Sequence, residues 1–261
     1  VSARVGVLVF PGTNSEDETI RACRAVGLET ELVHWNADLD AVRAFDAYVL
    51  PGGFAYEDRV RAGAIAAHDR LMIAVREGAA AGKFVLGICN GAQILLESGL
   101  APALDGQARA QAGFARNARG GRFRSTHVHV KLAIPPERCA ITREMAPETV
   151  IPAWASHAEG RLAAQPFVLE AIARDERVAF VYCDRDGNVN DAAVPNGSAL
   201  GAAALVNDRG NVLAIMPHPE RDAWTYMHAD LTRDAARGNT AAMLAPSGGI
   251  AFFVGLARAL R

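Results

Sequence analysis

Cysteine is scarce in this chain and never paired. Cys23, Cys89, Cys139 and Cys183 are the only four in 261 residues, with no C-x-x-C among them, which argues against a zinc ribbon or a disulfide framework. A reducing, cytoplasmic setting suits them best. Net charge is nearly missing as well: 27 Lys and Arg against 29 Asp and Glu leave −2, so no general attraction to nucleic acid or to an anionic membrane is expected. No uncharged apolar stretch is long enough to span a bilayer, and no basic segment leading into an apolar core opens the chain. The protein therefore reads as soluble and unexported, although the chain starts at Val1 and not at Met. There is no internal repeat and no convincing linker. Gly12, Gly52, Gly53 and Gly63 do not make a G-x-G-x-x-G and no P-loop exists, so ATP is expected to bind elsewhere.

What is present is core-forming material, 51% hydrophobic and 21% charged, ordinary values for a globular chain. The length fits one domain over residues 1–261. Apolar runs at 4–10, 31–35, 47–50 and 84–88 alternate with amphipathic segments, the pattern of parallel strands covered by helices on both faces: an α/β, doubly wound, mostly parallel sheet. Ser15, followed by Glu16, Asp17 and Glu18, predicts a hydroxyl-capped helix start, with Gly27 past its end. A further helix is expected over 62–78. In the second half, residues 125–133 alternate like a half-exposed strand, and 180–182, 202–206 and 212–216 read as additional strands with turns at Asp186-Gly187 and Asp208–Gly210. The segment 107–121, rich in Ala, Gly and Arg, is the expected mobile loop.

One stretch interrupts this regularity: FVLGICNGAQILLESG, residues 84–99. A strand leading through G-x-C-x-G into a helix is the cysteine form of the nucleophile elbow, a sharp turn that projects the side chain from the sheet's carboxyl edge. The flanking glycines let strand and helix approach closely. Cys89 would face a helix N-terminus, which favours thiolate, and the backbone N–H of Asn90 would point to where an attacked carbonyl oxygen sits. Taken alone, the pentapeptide equally describes a small cysteine packed beside a glycine turn. A second apolar strand, VLAIMPHPE at 212–220, ends in His218 and Glu220. If it stays extended, these project to one side and supply the base and the orienting carboxylate that a thiol nucleophile requires. A third strand end, Leu50-Pro-Gly-Gly-Phe54, offers bare backbone N–H groups, and that of Gly53 is the candidate second oxyanion donor.

These three segments together resemble the class I, or triad, glutamine amidotransferases. VFPGTN at 9–14, LPGGFAYED at 50–58 with RAGAI at 61–65, SHAEGR at 156–161, PNGS at 195–198 and MPHPER at 216–221 resemble, within that class, the glutaminase subunits of phosphoribosylformylglycinamidine synthases. The likeness runs from about residue 5 to 225. It implies a flavodoxin-like architecture with extra strands in the second half, and glutamine as substrate. On this resemblance Cys89 attacks the glutamine side-chain amide, His218 accepts and redelivers the proton, Glu220 holds the imidazole, and Gly53 and Asn90 bind the oxyanion. It further implies that Gly52, Gln93, His157, Glu159 and Gly160 line the substrate pocket, the 156–161 segment acting largely through backbone groups. His157 and Glu159 read equally well as a solvated pair. No cofactor or metal is expected on this chain; the resemblance places ATP and Mg on a large synthetase subunit that receives the ammonia, with a small bridging subunit beside it. Glu57, Ala55 and Val181 stand where that pattern has glycine, serine and arginine. Service to another synthetase, or a noncatalytic assembly role with a relict site, is the alternative.

Two features are not assigned a function. His127 and His129 share one strand face, but no Cys or carboxylate lies near them in sequence, and an exposed strand face accounts for them. Arg109, Arg116, Arg119, Arg122 and Arg124 form a local basic run that reads as a solvated loop.

Overall fold

The computed structural model describes residues 3–106, 109–118, 120–229 and 240–261. Its framework is a nine-stranded sheet in the order β2-β1-β3-β4-β11-β10-β9-β6-β7. The first five neighbours are β2 (Glu29–His34), β1 (Arg4–Val9), β3 (Ala47–Leu50), β4 (Phe84–Ile88) and β11 (Val212–Ile215), all paired in parallel. β3, β4 and β11 are buried at every position, which is why their sequences are continuous apolar runs without alternation. Chain order reverses at β1, with β2 to one side and β3 to the other. Right-handed crossovers then send the helix α1 (Glu16–Ala25) and the helix α3 (Leu71–Ala80) to opposite faces. The short helix α2 (Leu39–Arg43) packs on α3, and the last helix, Ile250–Ala259, packs on α1.

Beyond β11 the sheet continues antiparallel through β10 (Ala202–Val206), β9 (Val178–Cys183), β6 (Arg124–Leu132) and β7 (Val150–His157). A separate two-stranded sheet joins β5 (Gly113–Ala115) to β8 (Arg161–Ala163). The expected strands are all present, with ends shifted by up to two residues, but β5, β7, β8 and the helix α5 (Pro166–Arg174) are additional. No helix among the described residues is long and apolar enough to cross a membrane.

Several local expectations need correction. The helix expected over 62–78 starts only at Leu71; a 3-10 turn, Ala66–His68, precedes it, and Asp69 accepts a hydrogen bond from the Leu71 N–H, ending one turn and opening the next. Ser15 occupies the N-cap of α1 without capping it: its hydroxyl bonds Asn14 and accepts from Arg221, leaving the first turn to its three acidic residues. The segment 107–121 is not simply a loop, since β5 lies inside it and pairs with β8; Gln107, Ala108 and Arg119 are outside the described residues. His127 and His129 are half-buried, not on an open strand face.

Candidate active site

The carboxyl ends of three adjacent parallel strands, β3, β4 and β11, meet at one rim, where open α/β sheets bind ligands. β4 stops at Ile88 and the helix α4 (Asn90–Glu97) begins two residues later. Cys89 between them has φ 52° and ψ −106°, left-handed backbone that a non-glycine residue adopts only when its surroundings force it. The surroundings are explicit. A Cβ on Gly87 would lie 2.6 Å from the Gly91 carbonyl oxygen, and one on Gly91 would lie 1.9 Å from that of Leu50, so the elbow closes only because both positions lack side chains. The Cys89 N–H donates to the Ile215 carbonyl at 2.8 Å, tying the turn to β11.

His218 follows β11 in extended conformation (φ −97°, ψ 96°), and the chain turns into a 3-10 helix, Pro219–Asp222, immediately after it. His218 Nδ1 lies 2.5 Å from Glu220 Oε1, and Cys89 is near enough to act on the same ring and raise its pKa. The structure thus brings sulfur, imidazole and carboxylate together at one rim. Burial by itself would push the imidazole down, but the charges of Glu220 and then Cys89 outweigh it and hold His218 up at about 9. Glu220 is fully buried, and among the described residues its second oxygen has no hydrogen-bond partner. The neighbouring residues keep the triad in place. Trp154 of β7 exchanges backbone hydrogen bonds with His218 in both directions, at 3.2 and 2.8 Å, and Arg221 donates to Ser15 at 2.8 Å. Burial pushes the other three thiols up, Cys23 to about 12 and Cys139 and Cys183 to about 11, so they stay protonated.

The oxyanion candidates lie on either side of the elbow. Asn90 is the first residue of α4, where backbone N–H groups have no partner within the helix. Gly53 forms an antiparallel bridge with Thr13, but its bonds run from Asn14 N–H to Gly52 oxygen and from Phe54 N–H to Gly12 oxygen, leaving the Gly53 N–H out of it. A Cβ on Gly52 would stand 2.4 Å from His218 Cε1; this glycine is the floor on which the imidazole rests.

Sequence reasoning missed the hydrogen-bond network assembled beside the elbow. The Asn90 side chain accepts from the Ala55 N–H at 2.9 Å and donates to Asp58 at 3.1 Å and to Gln93 at 2.9 Å. Gln93 in turn donates to the Glu159 carbonyl at 2.6 Å. Burial, then the charge of Glu159, pushes Asp58 up to about 6. Tyr56, Glu57 and Asp58 all have positive φ, 54°, 58° and 51°, which gives a physical reason for glycine at the position Glu57 fills.

His157 and Glu159 are not a solvated pair. Glu159 accepts from the Ala62 N–H at 3.2 Å, while His157 is buried, its ring nitrogens have no hydrogen bond to another residue among those described, and burial followed by the charge of His218 pulls it down to about 4. The backbone of Gly160 is engaged within the protein, its N–H donating to Asn117 and its carbonyl accepting from Asn196. What Gly160 supplies is room, since a Cβ there would lie 2.2 Å from the His157 ring. Asn117 and Asn196 are distant in sequence from this segment, and only the P-N-G-S motif hinted at the second. Ser156 contributes its carbonyl, 3.7 Å from Cys89 Sγ.

A model of the CobB/CobQ-like glutamine amidotransferase domain matches residues 2–246. A protein of Symbiobacterium thermophilum named phosphoribosylformylglycinamidine synthase subunit PurQ is 45% identical over 221 residues, covering 84% of this chain and 87% of the relative. Its namesake in Methanothrix thermoacetophila is 40% identical over 228 residues, covering 84% and 86%. Among solved structures, a chain of PurLQS from Thermotoga maritima superposes with a TM-score of 0.72 at 26% identity, over 98% of both chains.

Proposed function

This chain belongs to the CobB/CobQ-like glutamine amidotransferase domain family, and on that premise we propose that it is the glutaminase subunit of a phosphoribosylformylglycinamidine synthase. The observation that carries the chemistry is the meeting of Cys89 and His218 at one rim of the sheet, with the His218 Nδ1 2.5 Å from a wholly buried Glu220. What favours this synthetase over others is the extent of the likeness to chains named PurQ, 45% and 40% identical over more than four-fifths of this one.

The proposed reaction follows from that geometry. His218 takes the proton of Cys89, and the thiolate attacks the side-chain amide carbon of glutamine. The oxygen gains the charge and is met by the N–H groups of Asn90 and Gly53. Collapse breaks the C–N bond, His218 returns its proton to the leaving nitrogen as ammonia departs, and a glutamyl thioester remains. Water, deprotonated by the freed imidazole, attacks the thioester; glutamate leaves and the thiol is restored. Glu220 keeps Nδ1 protonated and stabilises the imidazolium in both halves. Gly52, Gln93, His157, Glu159 and Gly160 form or support the substrate side of the cleft. The ammonia is consumed by a large synthetase subunit that holds ATP and Mg, with a small bridging subunit completing the complex.

The test uses this chain mixed with the synthetase. Cys89→Ser is expected to abolish synthesis driven by glutamine and to leave synthesis driven by ammonia at the wild-type rate. Equal loss of both, or retention of the glutamine-driven rate, would overturn the proposal.

A further inference from the structure

His127 projects from the same face of β6 as His129, two residues on. The carboxylate absent from its sequence neighbourhood is supplied 95 residues later: Asp222 Oδ2 lies 2.7 Å from His127 Nε2. The ring of His228 is 4.6 Å from that of His127, centre to centre. One donor atom from each of His127, Asp222 and His228 falls within 4.8 Å of the others. Asp222 is completely buried, and among the described residues its only ion pair is with His127. A buried carboxylate in such a position is usually paired with a cation or bound to a metal.

From this we propose that His127, Asp222 and His228 form a binding site for a divalent transition ion of the zinc class, with a structural role. Two imidazole nitrogens and one carboxylate oxygen are the donor set that zinc accepts, whereas magnesium and calcium prefer oxygen alone. The carboxylate is braced from behind, since Ser247 donates to Asp222 Oδ1 at 2.7 Å, leaving Oδ2 on the histidine side; such outer hydrogen bonds orient metal ligands. Trp154 and His129 meet the His127 ring edge-on at 5.3 and 5.1 Å and fix its plane. His129 is also the nearest further imidazole for a fourth position. Access exists along β6, where a cleft of 920 Å³ is lined by His127, His129, Ser125 and Asp184.

The role follows from connectivity. Asp222 ends the 3-10 turn Pro219–Asp222 that carries Glu220, and His228 follows the next turn, Thr225–Met227. An ion held by these and by His127 would clamp the turn bearing Glu220 onto β6. The site is separate from Cys89: Trp154 packs against His127 and bonds His218 through its backbone.

The experiment uses the full chain without an affinity tag, in a Cys89→Ser background so that the nucleophile cannot bind the ion, stripped with chelator and titrated with Co²⁺ alone. Visible d–d absorption is expected to saturate at one equivalent and to be displaced by Zn²⁺. His127→Ala and His228→Ala should each weaken binding by about 100-fold or more, and Zn²⁺ should raise the melting temperature of the parent but not of the His228→Ala protein. His228 is only partly buried, so that variant carries the test if His127→Ala fails to fold. Absence of the absorption, or binding unchanged by His228→Ala, would overturn the proposal and leave His127 and Asp222 a plain hydrogen-bonded pair.

Discussion

A methyl group added at Gly52 would stand 2.4 Å from His218 Cε1 and 3.2 Å from Ser15 Oγ. Nonbonded carbons settle at about 3.5 to 4 Å, so in Gly52→Ala the imidazole must retreat by roughly 1 Å. It has little room to do so: the ring is 1% exposed and held by Glu220 at 2.5 Å. Gly52 is not in the left-handed region, so alanine suits the backbone and the effect is confined to the clash. A misplacement of this size costs on the order of 100-fold in turnover, about 2.7 kcal/mol of barrier. Overpacking should lower fold stability by about 1 to 3 kcal/mol. The assay compares glutamine-driven with ammonia-driven synthesis in the assembled complex, beside a thermal melt of the isolated chain. The expected outcome is a cooperative melt, a normal ammonia-driven rate and a glutamine-driven kcat reduced about 100-fold. A folded Gly52→Ala protein with an unchanged glutamine-driven rate would show that the position of His218 over Gly52 is not what the chemistry needs.

Two further substitutions address the charges around the same ring. Glu220→Gln keeps the shape but removes the charge that helps hold His218 at about 9; loss of one charge-assisted hydrogen bond, about 1.5 to 3 kcal/mol, predicts a fall in kcat of roughly 10- to 150-fold. Because imidazolium is lost as pH rises through the folded-state pKa, the alkaline limb of kcat/KM should move to lower pH in this variant, and an unmoved limb would refute the assignment. His157 is pulled to about 4 from 6.5 in the folded state, so between those values the unfolded chain binds the extra proton and stability falls with acidification, by at most about 3 to 4 kcal/mol. His157→Asn should flatten that slope in denaturant titrations at about pH 7 and 4.5. Asp58, pushed up to about 6, works in the opposite sense, so the comparison is between proteins and not between pH values. Identical slopes would mean that His157 is not buried neutral.

The parallel half of the sheet was legible because its strands are buried on both faces. β3 and β4 carry no polar residue apart from the Tyr48 hydroxyl, which bonds the Val42 carbonyl, and their limits follow directly from where the apolar runs stop. β7 was not legible for the opposite reason. Its eight residues, VIPAWASH, alternate half-buried and buried, but Pro152, Trp154 and Ser156 occupy the outer positions, so polarity does not alternate even though burial does. The helix expected over 62–78 failed at Asp69, whose side chain is a better partner for the Leu71 N–H than the preceding turn is.

The site divides along the same line. Cys89, His218 and Glu220 sit at strand ends whose chemistry is local: two glycines make the elbow, and two residues separate the imidazole from its carboxylate. The hydrogen-bond network beside the elbow and the histidine–aspartate cluster are long-range. Asn90 reaches Asp58 across 32 residues, Gln93 reaches Glu159 across 66, and His127 reaches Asp222 across 95; in each case the fold joins polar groups that no local spacing connects. That is why His127 and His129, read along the chain, look like an ordinary strand face, and why the same residues in three dimensions form the second concentration of ionisable groups beside β7. Trp154 joins the two, its ring packed on His127 and its backbone bonded to His218. A displacement of β7 at this residue would therefore reach the triad and the cluster together.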